Sequence, residues 1–145
     1  MNNELDKYIV FKISDCLMAL PMDNVLKVIK TPPTGTGWDA MGLIQIGNYT
    51  IRIVDLHQQL NPEEPLNLPD RQSFLVITNP IEGELCGIIV DEPPNLFEFK
   101  GDVIHKLPKP KRQLQMVSHA AIISDQEVKT TIFMLDLSEL LNPVG

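Results

Sequence analysis

Apolar residues in this chain come in short runs separated by polar turns, and the runs alternate with period two or fill four to seven consecutive positions. Strands leave that signature, because side chains on an extended chain point alternately to opposite faces. Ile9–Ile13 and Leu17–Leu20 flank Ser14-Asp15-Cys16, a connection short enough for a hairpin. Val25–Ile29 is rich in β-branched residues, and Pro32-Pro33, which cannot donate to a ladder, bars the strand from continuing. Gly42–Ile46 and Tyr49–Val54 flank Gly47-Asn48, both of which tolerate positive φ, and form the clearest hairpin. Phe74–Thr78 pairs with Leu85–Val90, Leu96–Phe99 alternates, and Ala120–Ser124 with Thr130–Leu135 makes a last hairpin around Asp125-Gln126-Glu127. Lys106–Gln113 reads as a proline-punctuated loop, and Asn61–Asp70, with Pro62, Pro65 and Pro69, as a connector. No long amphipathic pattern separates successive strands, so an all-β fold is expected rather than a parallel βαβ sheet.

The pattern also repeats. Ile51-Arg52-Ile53-Val54-Asp55-Leu56 is echoed by Ile132-Phe133-Met134-Leu135-Asp136-Leu137, each a strand closing on Asp-Leu before a helix-forming turn. Asp55 and Asp136 are placed to accept bonds from the first N–H groups of those turns. Tyr8–Val28 and Phe74–Leu96 echo each other as strand, turn, strand and an acid-containing break. Two similar β units follow, the first mainly from residues 8–60 and the second mainly from 72–142, with exchange of strands between them left open.

Composition narrows the function. The net charge of −7 gives no basic footprint for a phosphate backbone, so no nucleic-acid partner is expected. The one cationic cluster is Lys106, Lys109, Lys111 and Arg112, read as a solvated loop, with an electrostatic landing patch for an acidic protein as a secondary reading. No apolar run approaches the roughly 20 residues that cross a bilayer, and the N-terminus lacks the pattern of a signal peptide, so a cytoplasmic location without membrane insertion is expected. Cys16 and Cys86 each stand alone in an apolar pattern and are expected to be buried free thiols.

Catalytic equipment is sparse. Asp55 and His57 share a face only if the strand continues through both, and the capping reading of Asp55 is preferred to a metal or acid–base role. His105 and His119 have no sequence neighbour that would make a dyad, and neither cysteine has zinc-site spacing. Asp91-Glu92 would point apart on an extended chain, and Gly35-Thr36-Gly37 lacks the lysine of a phosphate loop. No enzyme activity, cofactor or metal is expected. A set of β units without such equipment is most economically a docking module for proteins.

Gly42-Leu43-Ile44, the hairpin after it and the strand ending in Asp55-Leu56 resemble the corresponding hairpin and strand of CheW-like adaptor domains. Tyr8–Phe11, Leu20–Val25, Gly87–Asp91 and Met134–Leu137 are similar to further segments of that family, in order, over about residues 8–142. The resemblance implies two intertwined, five-stranded SH3-like barrels with a short C-terminal helical turn. It implies a non-enzymatic adaptor joining the regulatory domain of a CheA-type histidine kinase to a chemoreceptor's cytoplasmic tip, in a taxis or pilus-motility pathway, at membrane-associated arrays reached through its partners. By position, Val25, Lys27 and Val28 would face the kinase, and Gln45, Ile46, Gly47 and Asn48 with Ile88 and Val90 would belong to the receptor groove. Gly47 stands where the family carries an arginine linked to array coupling, Arg52 replaces a strand proline, and His119 takes the place of a common glycine. The Gly47 departure opens an alternative, a divergent regulator that binds the kinase but not receptors.

Overall fold

The computed structural model describes residues 5–31, 43–56, 73–81, 84–108 and 117–136. Within them the chain forms β1 (Asp6–Ile13), β2 (Cys16–Pro21), β3 (Val25–Lys30), β4 (Leu43–Ile46), β5 (Tyr49–Val54), β6 (Phe74–Ile81), β7 (Glu84–Val90), β8 (Asn95–Phe99), β9 (Ile104–Lys106), β10 (Val117–Asp125) and β11 (Val128–Leu135). Short 3-10 turns at Met22–Asn24 and Gly101–Val103 are the other regular elements of that order.

Two sheets result. One runs β8-β1-β2-β11-β10-β9 and the other β3-β6-β7-β5-β4. The chain divides accordingly into one unit of residues 1–22 with 94–145 and a second of residues 23–93. The division expected from sequence halves, 8–60 against 72–142, is therefore not the division into sheets. Each half gives its first hairpin to one unit and its remaining strands to the other. The switch happens at Pro21-Met22 and at Asp91-Glu92-Pro93-Pro94, the breaks that follow the two leading hairpins. Pro21 closes the β1–β2 ladder opposite Tyr8 and Pro93-Pro94 lie just past the end of β7; lacking N–H donors, they favour leaving the sheet over adding a third antiparallel strand beside the same hairpin.

The two sheets obey one plan. An antiparallel hairpin, β1–β2 or β6–β7, meets an antiparallel edge strand on one side, β8 or β3. On its other side it meets a parallel strand, β11 or β5, which turns back antiparallel into β10 or β4. Ile51 lies opposite Leu85 and Ile53 opposite Gly87; in the other sheet Ile132 lies opposite Leu17 and Met134 opposite Ala19. The first unit has six strands rather than the expected five, because β9, which ends on the first residue of the expected Lys106–Gln113 loop, pairs with β10 through Ala121↔Ile104.

Central strands are buried on both faces. In the second unit Ile44, Ile51, Leu75, Ile77 and Ile89 form a core to which Ile29 and Ile46, from the two edge strands, also pack. The inner face thus curls over one core. The opposite face of the same strands carries Val76, Cys86, Ile88 and Val90, all fully buried. That is why Leu85–Val90 reads as a continuous apolar run instead of an alternating one. In the first unit Tyr8, Val10, Ala19, Phe99, Ala121 and Ile132 form the matching core, with the Tyr8 and Phe99 rings stacked at 4.3 Å.

Asp55 and Asp136 are half-buried just beyond β5 and β11, and Leu56 begins a helical turn with its side chain wholly buried. The rest of both expected helical turns, the 61–70 connector, His57 and Gly35-Thr36-Gly37 lie outside the described residues.

Candidate functional site

Chemistry for catalysis is not assembled among the described residues. No group of three or more His, Cys, Asp or Glu could hold a metal ion there. His105 and His119 are both exposed, and the one side-chain partner shown for His119 is Ser118, with Oγ and Nδ1 2.8 Å apart. Both thiols are free: Cys86 is buried and Cys16 only half-buried, short of the full burial expected for it. Burial pushes the Cys86 thiol up to about 11 against the lesser pull of its Thr78 hydrogen bond and the Arg52 charge, so it stays protonated at neutral pH. A protonated buried thiol is a packing group and a poor nucleophile.

Exposed apolar surface is the more informative feature. On edge strand β3 the register slips between Val25↔Thr78 and Lys27↔Ile77, leaving Leu26 as the extra residue of a bulge. Leu26 is 56% exposed and Val28 37%, and Met22 at the entry to the strand is also exposed. Val25 is half-buried and Lys27 exposed. The expected kinase-facing residues Val25, Lys27 and Val28 therefore lie together on one strand that is a sheet edge among the described residues. Leu26, the most exposed apolar side chain on it, was not among them. A bulge has no signature in hydrophobic pattern alone, since it depends on what the partner strand does. The slip turns Leu26 outward in a run of residues, Val25 to Ile29, that reads as a regular strand.

The second expected group separates in two. Gln45, Ile46, Gly47 and Asn48 form the tip of the β4–β5 hairpin, with Ile46 paired to Tyr49. Gly47 has φ +59, and a Cβ added there would meet nothing within 4 Å. The turn therefore requires a left-handed residue and leaves the space above it open. Tyr49, directly after the turn, is 65% exposed. Gln45, Thr50 and Arg52 project from the outer face, and Arg52 is the only basic residue in the hairpin. Ile88 and Val90, expected in the same groove, have no exposed surface; they sit in the central strand β7 and support the sheet from within. Strands β3 and β4 are the two edges of a single sheet, so the β3 edge and the hairpin are carried by the same unit.

A family model for the CheW-like domain matches residues 7–144. The chain belongs to the CheW-like domain family. Among solved structures it is similar to the scaffolding protein TtCheW from Thermoanaerobacter tengcongensis, with 22% sequence identity and a TM-score of 0.70. That match covers 96% of this chain and 89% of the other. Among curated proteins none matches. The CheW-like fold of two β-barrel-like units agrees with the paired sheets described above. In this CheW-like chain no helix among the described residues is long and apolar enough to cross a membrane.

Proposed function

We propose that this CheW-like protein is a non-enzymatic cytoplasmic adaptor that couples a CheA-type histidine kinase to chemoreceptors in a taxis or pilus-motility pathway. The observation that carries the reading is the open β3 edge. Leu26, Val28 and Met22 offer apolar surface along a strand that pairs on one side only among the described residues, and Lys27 and Lys30 add charge at its rim. Such an edge accepts another β surface through main-chain bonds and apolar side chains. The regulatory domain of the kinase is the proposed occupant. Gln45–Asn48 with Tyr49 and Arg52 is the proposed receptor-side surface.

Gly47 favours a second reading, a regulator that binds the kinase alone. A glycine at this turn brings no cation and no hydrogen-bond fork to a receptor. Arg52 supplies a guanidinium on the strand instead, set back from the tip.

Calorimetric titration of the protein with the kinase regulatory domain, and separately with a receptor-tip fragment, tests both. Binding to both partners supports the coupling adaptor. Binding to the kinase alone supports the one-sided regulator, and binding to neither removes both readings.

A further inference from the structure

The pairing of strands shows that neither half of this chain can complete a sheet by itself. Residues 5–56 supply β1 to β5 and residues 73–136 supply β6 to β11. Within a half, the ladders join β1 to β2, β4 to β5, β6 to β7, and β10 to β9 and β11. Every ladder that builds these pieces into sheets runs between halves: β1 with β8, β2 with β11, β3 with β6, and β5 with β7.

The cores divide in the same way. Tyr8, Val10 and Ala19 from the first half pack with Phe99, Ala121 and Ile132 from the second. Ile44 and Ile51 pack with Leu75, Ile77 and Ile89. A half released from its partner would expose both its core faces and the ladder edges of β1, β2, β3 and β5, or of β6, β7, β8 and β11.

We infer that a second copy of this chain is a partner the fold can accept by exchange, the first half of each copy assembling with the second half of the other. One stretch of chain, residues 57–72, links the halves and carries Pro62, Pro65 and Pro69. All four inter-half ladders and both cores are regained in the exchanged dimer, so the two states differ chiefly in this link. The balance is then set by concentration. An intramolecular partner acts at an effective concentration on the order of millimolar, so exchange dominates only near or above that level. The exchanged dimer carries two β3 edges and two β4–β5 hairpins, and so binds bivalently. Exchange is independent of which partner docks at β3.

Engineered disulfides read the exchange directly. Lys7 and Glu98 are exposed and lie opposite each other across the inter-half β1–β8 ladder. Ser124 and Lys129 are exposed and lie opposite each other across β10–β11, within one half. Paired strand residues have the Cα spacing that a disulfide needs. In a Cys16→Ser, Cys86→Ala background, full-length Lys7→Cys and Glu98→Cys proteins of different tagged mass are mixed in urea. They are refolded together at about 10 µM and about 1 mM, then oxidised. The Ser124→Cys and Lys129→Cys pair is treated identically, and the unsubstituted protein is sedimented at the same two concentrations.

The expected result is a mixed-mass Lys7→Cys/Glu98→Cys disulfide that rises from trace to a major species over this hundredfold range. The Ser124→Cys/Lys129→Cys mixture stays uncrosslinked, and a dimer of the unsubstituted protein appears at the higher concentration. Crosslinking of both mixtures would mean ordinary side-by-side association, and a protein that stays monomeric at 1 mM would mean no exchange; either overturns the inference.

Discussion

Gly87 and Ala19 hold equivalent positions in the two sheets, each the small residue of a hairpin strand set opposite a larger one on the parallel neighbour, Ile53 or Met134. The equivalence shows that the repeat extends to side-chain volume. At Gly87 the space is already taken: an added Cβ would lie 3.2 Å from Ile51 Cγ2 and 3.5 Å from both Ile53 Cδ1 and Leu75 Cδ2. Ile51 and Leu75 are themselves buried and cannot swing aside. Gly87→Ala is expected to destabilise by about 1 kcal/mol, and Gly87→Val by about 2–3 kcal/mol, through overpacking. Urea unfolding should show a lower midpoint with unchanged slope.

The β10–β11 turn holds Gln126 at φ +47 and Glu127 at φ +70, so two ordinary side chains occupy left-handed backbone where Asn-Gly is the usual solution. Left-handed backbone costs an L-residue about 1–2 kcal/mol. Gln126→Asn with Glu127→Gly should therefore raise stability by about 1 kcal/mol, partly offset by the greater freedom of glycine in the unfolded chain. A thermal melt of the double variant checks this.

On the β3 edge, Leu26→Glu places a carboxylate on surface that is already largely solvated, so stability should change by no more than about 0.5 kcal/mol. Binding to the kinase regulatory domain should weaken about 10- to 100-fold, as for central apolar contacts of an interface. Affinity of the unsubstituted protein should fall little with added salt, because the contact is mainly apolar. A steep salt dependence would instead place docking on the Lys106–Arg112 segment.

Gly47→Arg tests the receptor side. No atom within 4 Å of the built Cβ opposes the side chain, so its cost is confined to the left-handed backbone, about 1–2 kcal/mol. If the glycine accounts for one-sided binding, receptor-tip affinity appears in this variant and is absent from the parent. Equal receptor binding by both would show that the turn residue is not the determinant.

Cys86 gives the fold a pH signature. Its thiol is raised in the folded state from an ordinary 9.0 to about 11, chiefly by burial, so the native state holds its proton more tightly than the unfolded chain. The associated stability is fully present below about pH 9 and is lost as the pH rises toward 11, amounting to about 2–3 kcal/mol. Stability of the parent should fall over that window more than that of Cys86→Ala. At pH 8 the half-buried Cys16 should react with a thiol reagent well before Cys86 does.

Local signals in the sequence located most of the strands because each rests on short-range physics. Gly47-Asn48 between two alternating runs fixes a hairpin whatever surrounds it, and the structure has β4 and β5 flanking that turn. Ile104–Lys106 was different. With three residues, two of them polar, it carries no periodicity and becomes a strand only because β10 offers a ladder edge. Exposure of Leu26 is not legible locally for a related reason, since a bulge is a mismatch between two strands. The family resemblance puts Ile88 and Val90 in a groove, whereas both are wholly buried in the central strand β7.

By itself the sequence determined the all-β class, the hairpins, the internal repeat and the absence of a basic footprint, all of which follow from residue order over a few positions. The tertiary structure decided which hairpin joins which sheet. Pro21 and Pro93-Pro94 end two ladders, but no local rule says where the chain then goes. Only burial of the inner faces, Ile29 with Leu75 and Phe99 with Tyr8, selects the exchange of strands between halves, because it closes both cores at once.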